Sequence, residues 1–279
     1  MRDLFRAPLY CRLIELTENI YVSDEYIDKN PTLHEEDSAW KIGRILPFVT
    51  LLFEKHLHKK QVNLLDVGGG AGLILNAVAT HIKKIEATHV NTYALDLSSG
   101  MLKVQRKHNP DLNFLNEDIR KTSLRHKSID LALMIDVLEH VPEPEFALLE
   151  LRRIANYVIF KVPMEGSLTS RAWNFFDHGK HRKELIENLG HVNLYSLPRL
   201  LDQIETCLGH VLVFNFTNEF EYTLLNKKLD FKDKARAILG NTTSKVNSKL
   251  CSLVFGGFII LLVQCYPEVF DETNKLSQS

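Results

Sequence analysis

Four aspartates stand where predicted strands end, and their side chains are the first candidates for a binding site. They are Asp66, Asp96, Asp118 and Asp136. Each follows an apolar run of strand length, and strands alternate with helices from residue 62 to residue 162. This alternation predicts an α/β domain with a parallel, doubly wound sheet. Ligands bind such sheets outside the carboxyl ends of the strands, so we expect the four carboxylates to line one site.

A glycine-rich turn follows the first aspartate and joins a strand at 62–67 to a helix at 73–82. Its glycines are Gly68, Gly70 and Gly72. They allow a sharp turn and a close approach of ligand to backbone, and the helix start presents free N–H groups. Dinucleotide folds use G-x-G-x-x-G, whereas the spacing here is G-x-G-x-G. Asp66 would repel a pyrophosphate and suits a cofactor with a cationic amino group. A plain tight turn is the alternative.

The chain resembles the class I S-adenosylmethionine-dependent methyltransferases through an ordered set of motifs. They are Leu64 to Gly72, Ala94 to Ser98, Glu117 to Ile119 and Asp130 to Val141. The last motif is similar to that of the small-molecule branch, including quinone-precursor O-methyltransferases. Family members often carry G-C-G where this chain has Gly68-Gly69-Gly70. The resemblance implies a Rossmann-like fold with a seven-stranded, mostly parallel sheet, an antiparallel last strand, and helical insertions that cover the substrate.

A narrower resemblance, to a bacterial group of little-characterised methyltransferases, extends outside the core. It rests on residues 30–41, 190–196 and 253–258. This group suggests a glycan or a secondary metabolite as the methyl acceptor.

S-adenosyl-L-methionine is the cofactor that the resemblance implies. Asp96 lies 24 positions beyond Gly72 and is expected to accept hydrogen bonds from the ribose hydroxyls, with a helix N-cap as the alternative. Asp118 is expected to accept the adenine amino group while Ile119 packs on the ring, although a surface turn would use the same residues. Asp136 is expected to hold the methionine end or the substrate. The expected cofactor-binding residues are Asp66, Gly68, Gly70, Gly72, Asp96, Leu97, Asp118, Ile119, Asp136, Trp40 and Lys41.

Histidines supply the candidate general bases for methyl transfer to a hydroxyl. His140 in the Val137–Val141 segment is the first candidate, because neutral imidazole is available near pH 7. A structural role in the strand-to-helix turn is the alternative. His191 and His178 are the second candidates.

The segment before the first strand contributes a cluster of polar residues that has several interpretations. The cluster 34–37 has three interpretations: a solvated helix start, a lid over the ligands, or a metal site. We predict no metal. A helix is expected from Ser38, bent or divided at Pro47. Trp40 is most simply a core anchor, whereas Lys41 is a candidate partner of the cofactor carboxylate.

The predicted organisation has five regions. They are a helical N-terminal cap at 1–60, a cofactor-binding core at 61–165, an insertion or lid at 166–195, completion of the core at 196–270 with a helical insertion at 218–250, and a disordered tail at 271–279. The final strand is expected from Phe255 to Cys265, antiparallel to the strand at 210–216, with a bulge or a close backbone approach at Gly256-Gly257.

Composition and charge narrow the function classes. The formal net charge is −1 and the pI about 6.9, so there is no basic field for nucleic acid. The D/N-P-P-Y/F cluster typical of base methylation is absent after the fourth strand. Four scattered cysteines indicate reduced thiols and a cytoplasmic protein. The apolar run 253–263 is too short to span a membrane, and we expect no signal peptide.

The sequence therefore predicts a methyltransferase of a small molecule or glycan, acting most simply at oxygen. A catalytically silent methyltransferase-like partner subunit is the alternative. A nicotinamide oxidoreductase is disfavoured by the glycine spacing. The oligomeric state is left open.

Overall fold

The computed structural model describes residues 35–86, 89–178, 180, 182–183, 190–218, 220–225 and 229–267. The strands are β1 (Gln61–Val67), β2 (His89–Leu95), β3 (Asn113–Leu115), β4 (Ile129–Ile135), β5 (Ala155–Pro163), β6 (Gly209–Thr217) and β7 (Phe258–Cys265). The helices are α1 (Glu35–Lys55), α2 (Leu73–Glu86), α3 (Ser99–His108), α4 (Pro144–Ile154), α5 (Leu168–Phe176), α6 (Leu197–Cys207), α7 (Phe220–Leu225), α8 (Phe231–Val246) and α9 (Ser248–Phe255).

The seven strands form one sheet in the order β3-β2-β1-β4-β5-β7-β6. Strands β1 to β5 pair in parallel, and β7 is antiparallel to both β5 and β6. This is the Rossmann-like methyltransferase sheet that was predicted, including the reversed last strand beside β6. Parallel neighbours place the carboxyl ends of β1, β2 and β4 at one edge, where the predicted site lies.

Helices cover both faces of the sheet and bury two apolar cores. On one face α1 and α2 contribute Ile45, Val49, Leu75 and Val78. On the other face α4 and α6 contribute residues such as Leu148 and Ile204. The strands between them are apolar on both sides, and every residue of β4 is buried, which is expected of a sheet covered on both faces.

Helix α1 is longer and less interrupted than the sequence predicted. It begins at Glu35 and runs through Pro47 to Lys55 as one helix, so Pro47 does not divide it, and the alternative of a bend stays a prediction. Pro47 lies on the exposed side, and the residue four positions earlier is the exposed Gly43. The carbonyl that loses its helical partner therefore faces water, which reduces the cost of the proline.

The C-terminal strand starts later than predicted. Residues 248–255 form helix α9, and β7 begins only at Phe258. Gly256 and Gly257, with φ of 84° and 119°, make the turn between them. A Cβ on Gly257 would lie 2.7 Å from the Thr217 carbonyl oxygen, so the close backbone approach is confirmed. The bulge lies elsewhere, between Val211 and Val213 of β6.

Helices α5, α8 and α9 all join the sheet at its carboxyl edge. Pro163, which ends β5, pairs with Phe258, and so does Thr217, which ends β6. Helix α5 follows β5, α7 and α8 follow β6, and α9 leads into β7. The insertions at 166–195 and 218–250 are therefore attached beside the predicted site.

Several expectations fall outside the described residues. They concern the N-terminal 34 residues, including His34 of the polar cluster, part of the insertion at 184–189, and the tail from residue 271. Within the described part, none of the helices has the length and apolar character needed to cross a bilayer.

Candidate active site

The glycine turn between β1 and α2 has the conformation that its glycines predict. Gly68, Gly70 and Gly72 all have positive φ, of 63°, 54° and 80°, which side chains rarely tolerate. The Gly68 amide donates to the Leu95 carbonyl oxygen at 2.8 Å. This bond holds the turn against the end of β2, next to Asp96.

Asp66 lies beneath this turn in a setting that suits a bound cation. Its side chain is 1% exposed, and its Oδ2 atom has no hydrogen-bond partner among the described residues. A Cβ on Gly69 would lie 2.1 Å from that oxygen, so the carboxylate occupies the space of a missing side chain. Burial raises the pKa of Asp66 to about 7, with the Asp96 charge adding to the effect. A buried carboxylate without a partner is what an ammonium group would satisfy.

Asp96 is the second acid of this half of the site. One of its oxygens accepts from the Ser98 amide at 2.9 Å. The helix N-cap is Ser98, whose hydroxyl accepts from the Met101 amide at 3.1 Å, so the capping alternative applies to Ser98. Burial raises the pKa of Asp96 to about 6, and the Ser98 amide partly offsets this. Asn116, which the sequence did not single out, donates to the carbonyl oxygens of Asp96 and Leu97 at 2.9 and 2.8 Å and fixes this turn.

Replacing Asp66 by asparagine is expected to stabilise the ligand-free protein at pH 8. Unfolded Asp66 ionises near 3.8 and folded Asp66 near 7, so the folded state keeps a proton that the unfolded state loses. Wild-type stability therefore falls as pH rises from about 4 to 7, by about 2–4 kcal/mol from this group, whereas the asparagine variant is spared. Thermal melts should show a higher Tm for Asp66→Asn at pH 8 and equal Tm values near pH 4.

The exposed Asp111→Asn variant is the control and should follow the wild type at both pH values. A Tm difference between Asp66→Asn and wild type that does not change with pH would contradict the buried-acid interpretation.

Asp118 and Ile119 are placed at the end of β3 but are already engaged. Asp118 Oδ1 accepts from the Arg120 amide at 2.8 Å, and Oδ2 accepts from the Arg120 side chain at 2.6 and 2.9 Å. An adenine amino group would have to share these oxygens. Ile119 is 5% exposed and packs in the core with Val67 and Leu95. The adenine contacts of both residues therefore stay predictions.

Asp136 lies at the end of β4 between two lysines. Lys161 of β5 donates to one carboxylate oxygen, and Lys41 of α1 lies 3.1 Å from the other. Burial by itself would raise the pKa of Asp136, but the two lysine charges outweigh it and hold the pKa below its usual range. Lys41 also pairs with Asp37 at 3.0 Å. The lysine expected to meet a cofactor carboxylate is thus held by two protein carboxylates.

Lys161 is the charged residue that the sequence reasoning missed in this group. It is 1% exposed, and its ammonium lies 3.4 Å from the centroid of the Phe258 ring and 5.7 Å from that of Trp40. The two rings meet edge to face at 5.8 Å. Trp40 is therefore part of an aromatic wall around the buried lysine, and its indole nitrogen lacks a partner among the described residues. A lone lysine inside an apolar strand was the signal available in the sequence.

Two histidines, His140 after β4 and His191 before α6, contact each other. The rings of His140 and His191 are 4.7 Å apart at 73°. Glu165, which follows β5, bonds to Nδ1 of His191. A carboxylate that accepts from Nδ1–H leaves Nε2 as the nitrogen able to take a proton. His140 Nδ1 lies 3.2 Å from the Gly190 carbonyl oxygen. The structure thus brings together two of the predicted bases, and Glu165 was not anticipated.

The third histidine, His178, is not part of this group. It is exposed, with φ of 56°, in the turn after α5. The three bases named from the sequence therefore divide into an adjacent pair and one surface residue.

A short 3-10 turn at Leu138–His140 positions the histidine pair. The side-chain amide of Asn193 donates to the carbonyl oxygens of Leu138 and Val141 at 3.3 and 2.7 Å. Its backbone N–H donates to the Glu139 carbonyl oxygen at 3.0 Å. The segment carrying His191 is thereby tied to the segment carrying His140. His140 serves the strand-to-helix turn and faces the site as well.

Glu139, His140 and His191 offer ligand atoms within 4.8 Å of one another, so the expectation of no metal stays a prediction. Burial, reinforced by the Asp136 charge, raises the pKa of Glu139 well above its usual range. A carboxyl group held neutral is a poor metal ligand until a cation displaces its proton.

Fold and site together define a class of protein. A sheet with one reversed strand, a glycine turn over a buried acid, and acids at successive strand ends are the features of the class I S-adenosylmethionine-dependent methyltransferases. Residues 65–156 match the family model described as a methyltransferase domain. This match agrees with the motifs, and the recognition made from them is confirmed.

Curated relatives are methyltransferases as well, and the match to this chain covers only part of the length of each relative. The chain is 26% identical over 134 residues to a ubiquinone biosynthesis O-methyltransferase of Coxiella burnetii, covering 44% of this chain and 56% of the relative. It is 27% identical over 96 residues to a ubiquinone/menaquinone biosynthesis C-methyltransferase of Campylobacter jejuni, covering 34% and 41%. The chain thus spans about half the length of these relatives or less.

A solved structure supports the same fold. The geranyl diphosphate C-methyltransferase of Streptomyces coelicolor A3(2), solved with Mg²⁺, geranyl diphosphate and S-adenosyl-L-homocysteine, has a TM-score of 0.52 at 10% identity. The match covers 79% of each chain. At this identity the likeness establishes the fold alone.

Proposed function

We propose that the chain binds S-adenosyl-L-methionine and transfers its methyl group to an oxygen of a small molecule or glycan. The observation that carries the proposal is the Asp66 carboxylate, which is buried and unsatisfied beneath three glycines of positive φ. That arrangement fits the amino group of the cofactor. The two curated relatives, named for O- and C-methylation in quinone biosynthesis, support a small-molecule acceptor.

The cofactor half of the site is formed by the turns after β1 and β2. When bound there, the cofactor supplies a methyl group already activated on a sulfonium. Asp66 balances the charge of the amino group, and Asp96 accepts hydrogen bonds from the ribose hydroxyls. Ser98 and Asn116 hold Asp96 in place. The residues that close this half of the site are Gly68, Gly70, Gly72 and Leu97.

The acceptor half is formed by the histidine pair. With Glu165 on Nδ1, His191 can take the acceptor's hydroxyl proton at Nε2. His140 packs on His191 and limits its movement. Helices α5, α8 and α9 are attached at this edge and are positioned to exclude water. Aligning the nucleophile with the methyl group is the larger part of the catalysis, worth as much as ~7–11 kcal/mol.

Oxygen is favoured over carbon because the site provides a base at a fixed orientation. The pair of His191 and Glu165 would also suit the deprotonation of an acidic carbon, and one curated relative is named for C-methylation. Product analysis by mass spectrometry with labelled methyl groups distinguishes the two acceptor atoms.

The binding test is calorimetry with S-adenosyl-L-homocysteine, and Asp96→Ala is the decisive variant. Loss of two charge-assisted bonds, each worth roughly 1.5–3 kcal/mol, is expected to weaken binding by about 10²-fold or more. Asp111→Ala, which removes an exposed acid after α3, is the matched control and should bind like the wild type.

An absence of binding by the wild-type chain would exclude the enzyme and leave a methyltransferase-like partner subunit. Equal affinities for wild type and Asp96→Ala would place the ribose elsewhere. Binding without turnover on any acceptor would favour the silent-subunit alternative.

A further inference from the structure

The carboxyl edge of the sheet carries a concentration of exposed apolar side chains. Of the thirteen large hydrophobic residues that are exposed in the described part of the chain, nine lie on three helices, α5, α8 and α9. They are Leu168, Phe175, Phe176, Phe231, Ile238, Leu239, Val246, Leu250 and Leu253. Scattered exposed leucines need no explanation, whereas a grouping of this kind marks an interaction surface.

The exposed apolar residues of helix α8 all lie on one side of the helix. Phe231, Ile238, Leu239 and Val246 stand seven, eight and fifteen positions apart, which places them on one side of a 3.6-residue helix. Phe231 is 86% and Val246 83% exposed. The opposite side is the packed one, because a Cβ on Gly240 would lie 2.4 Å from the Phe220 ring and Ala237 is 1% exposed. The helix therefore has one apolar side against the protein and a second one facing outward.

The neighbouring helices carry exposed apolar residues as well. Helix α9 packs against both α5 and α8. On α9, Leu250 and Leu253 are exposed while Cys251 and Ser252 are buried. On α5, Phe175 and Phe176 are 78% and 77% exposed. We call the outward residues of these three helices the apolar face.

The charged residues of the three helices indicate which kind of partner the apolar face binds. The three helices contain six lysines and arginines, Arg171, Lys232, Lys234, Arg236, Lys245 and Lys249, and one acid, Asp233. This surplus of five positive charges stands in a chain whose formal net charge is −1. Lysine is depleted at protein–protein interfaces, whereas phenylalanine and leucine bordered by lysine and arginine are typical of helices that lie in a membrane interface.

We propose that the apolar face docks on the surface of a membrane containing anionic lipid. Helix α8 lies in the plane of the interface, with Phe231 and Val246 in the acyl boundary and Lys234 and Lys245 at the headgroups. Because the three helices are attached at the carboxyl edge of the sheet, docking brings that edge to the bilayer. The proposal goes beyond the methyltransferase activity and does not depend on it.

Vesicle flotation of the full chain tests the proposal without any need for turnover. The probes are vesicles of phosphatidylcholine alone and of phosphatidylcholine with one-third phosphatidylglycerol. Wild type is expected to float with the anionic vesicles and to be released by salt. Phe231→Ser/Val246→Ser and Lys234→Glu/Lys245→Glu are each expected to weaken that binding about 10-fold or more.

Two control variants alter exposed apolar residues and exposed lysines outside the apolar face. Phe146→Ser/Leu149→Ser alters two exposed apolar residues of α4, and Lys83→Glu/Lys84→Glu alters two exposed lysines of α2. Both should float like wild type, and circular dichroism should show all variants folded.

Three results would overturn the proposal. The first is equal binding of wild type to neutral and anionic vesicles, and the second is equal loss in the control variants. The third is a wild-type chain that binds no vesicle. If light scattering then shows a dimer that Phe231→Ser/Val246→Ser dissociates, the apolar face joins two copies of the chain; a monomer instead leaves a protein partner of another kind.

Discussion

Replacing His191 by alanine is expected to lower kcat by about 10²- to 10⁴-fold while leaving the affinity for S-adenosyl-L-homocysteine unchanged. The reason is geometric. Glu165 holds Nδ1 of His191, so the opposite nitrogen is the group able to accept the hydroxyl proton. The cofactor half of the site is built from other residues. The measurement is methyl transfer from labelled cofactor to an acceptor found by screening phenols and sugars, together with calorimetry on the same variant.

His178→Ala is the matched control, because His178 is exposed after α5 and should have near wild-type kcat. Glu165→Gln should fall between the two, since glutamine can still orient the ring but cannot stabilise the imidazolium. A normal kcat for His191→Ala would show that His191 and Glu165 do not act as the base in methyl transfer. A parallel loss of cofactor affinity would instead indicate that the site had been distorted.

Replacing Asp136 by asparagine is expected to destabilise the fold by about 3–5 kcal/mol. The substitution leaves Lys161 inside the protein at 1% exposure without its counter-charge. The backbone is not the cause, because Asp136 has φ of 56° and asparagine tolerates that conformation as well as aspartate does. Chemical denaturation is the measurement, and Tm should fall by roughly 6–20 °C.

The double variant Asp136→Asn/Lys161→Met separates the lost ion pair from other effects. Methionine removes the buried charge and keeps an apolar stem against Phe258, so much of the lost stability should return. Lys59→Met is a control for removing a lysine that is half exposed and paired with Asp130. If Asp136→Asn is as stable as wild type, water must already solvate the Lys161 ammonium, and the ion pair is not what stabilises the fold.

The sheet and the glycine turn could be predicted from the sequence because their signals are local. Each apolar run that leads to Asp66, Asp96 or Asp136 became a strand, and β1 lies within one residue of the expected bounds 62–67. The glycine spacing anticipated positive φ at Gly68 and its neighbours. Local rules of this kind depend only on residues a few positions apart.

The polar partnerships of the site could not be predicted in the same way. Glu165 and His191 are 26 positions apart, and Asp136 and Lys161 are 25 apart. Hydrophobic periodicity carries no information on which buried charges will meet. Lys161 alone gave a signal, since a lysine within a fully buried strand requires an acidic partner. The difference at Pro47 arose because the carbonyl that loses its partner faces water, and the one at Phe255 because an apolar run fits a helix as well as a strand.

The position of β7 between β5 and β6 affects how the nascent chain must fold. Residues 155–163 find their partner strand about a hundred residues later, at 258–265, and β6 joins the sheet only through β7. Until Phe258 has been synthesised, the apolar edge of β5 stays open. During that interval an open edge can pair with another chain, so folding after synthesis is slower and more prone to aggregation than for a sheet built in sequence order. Chaperone dependence should therefore be concentrated in the last part of translation.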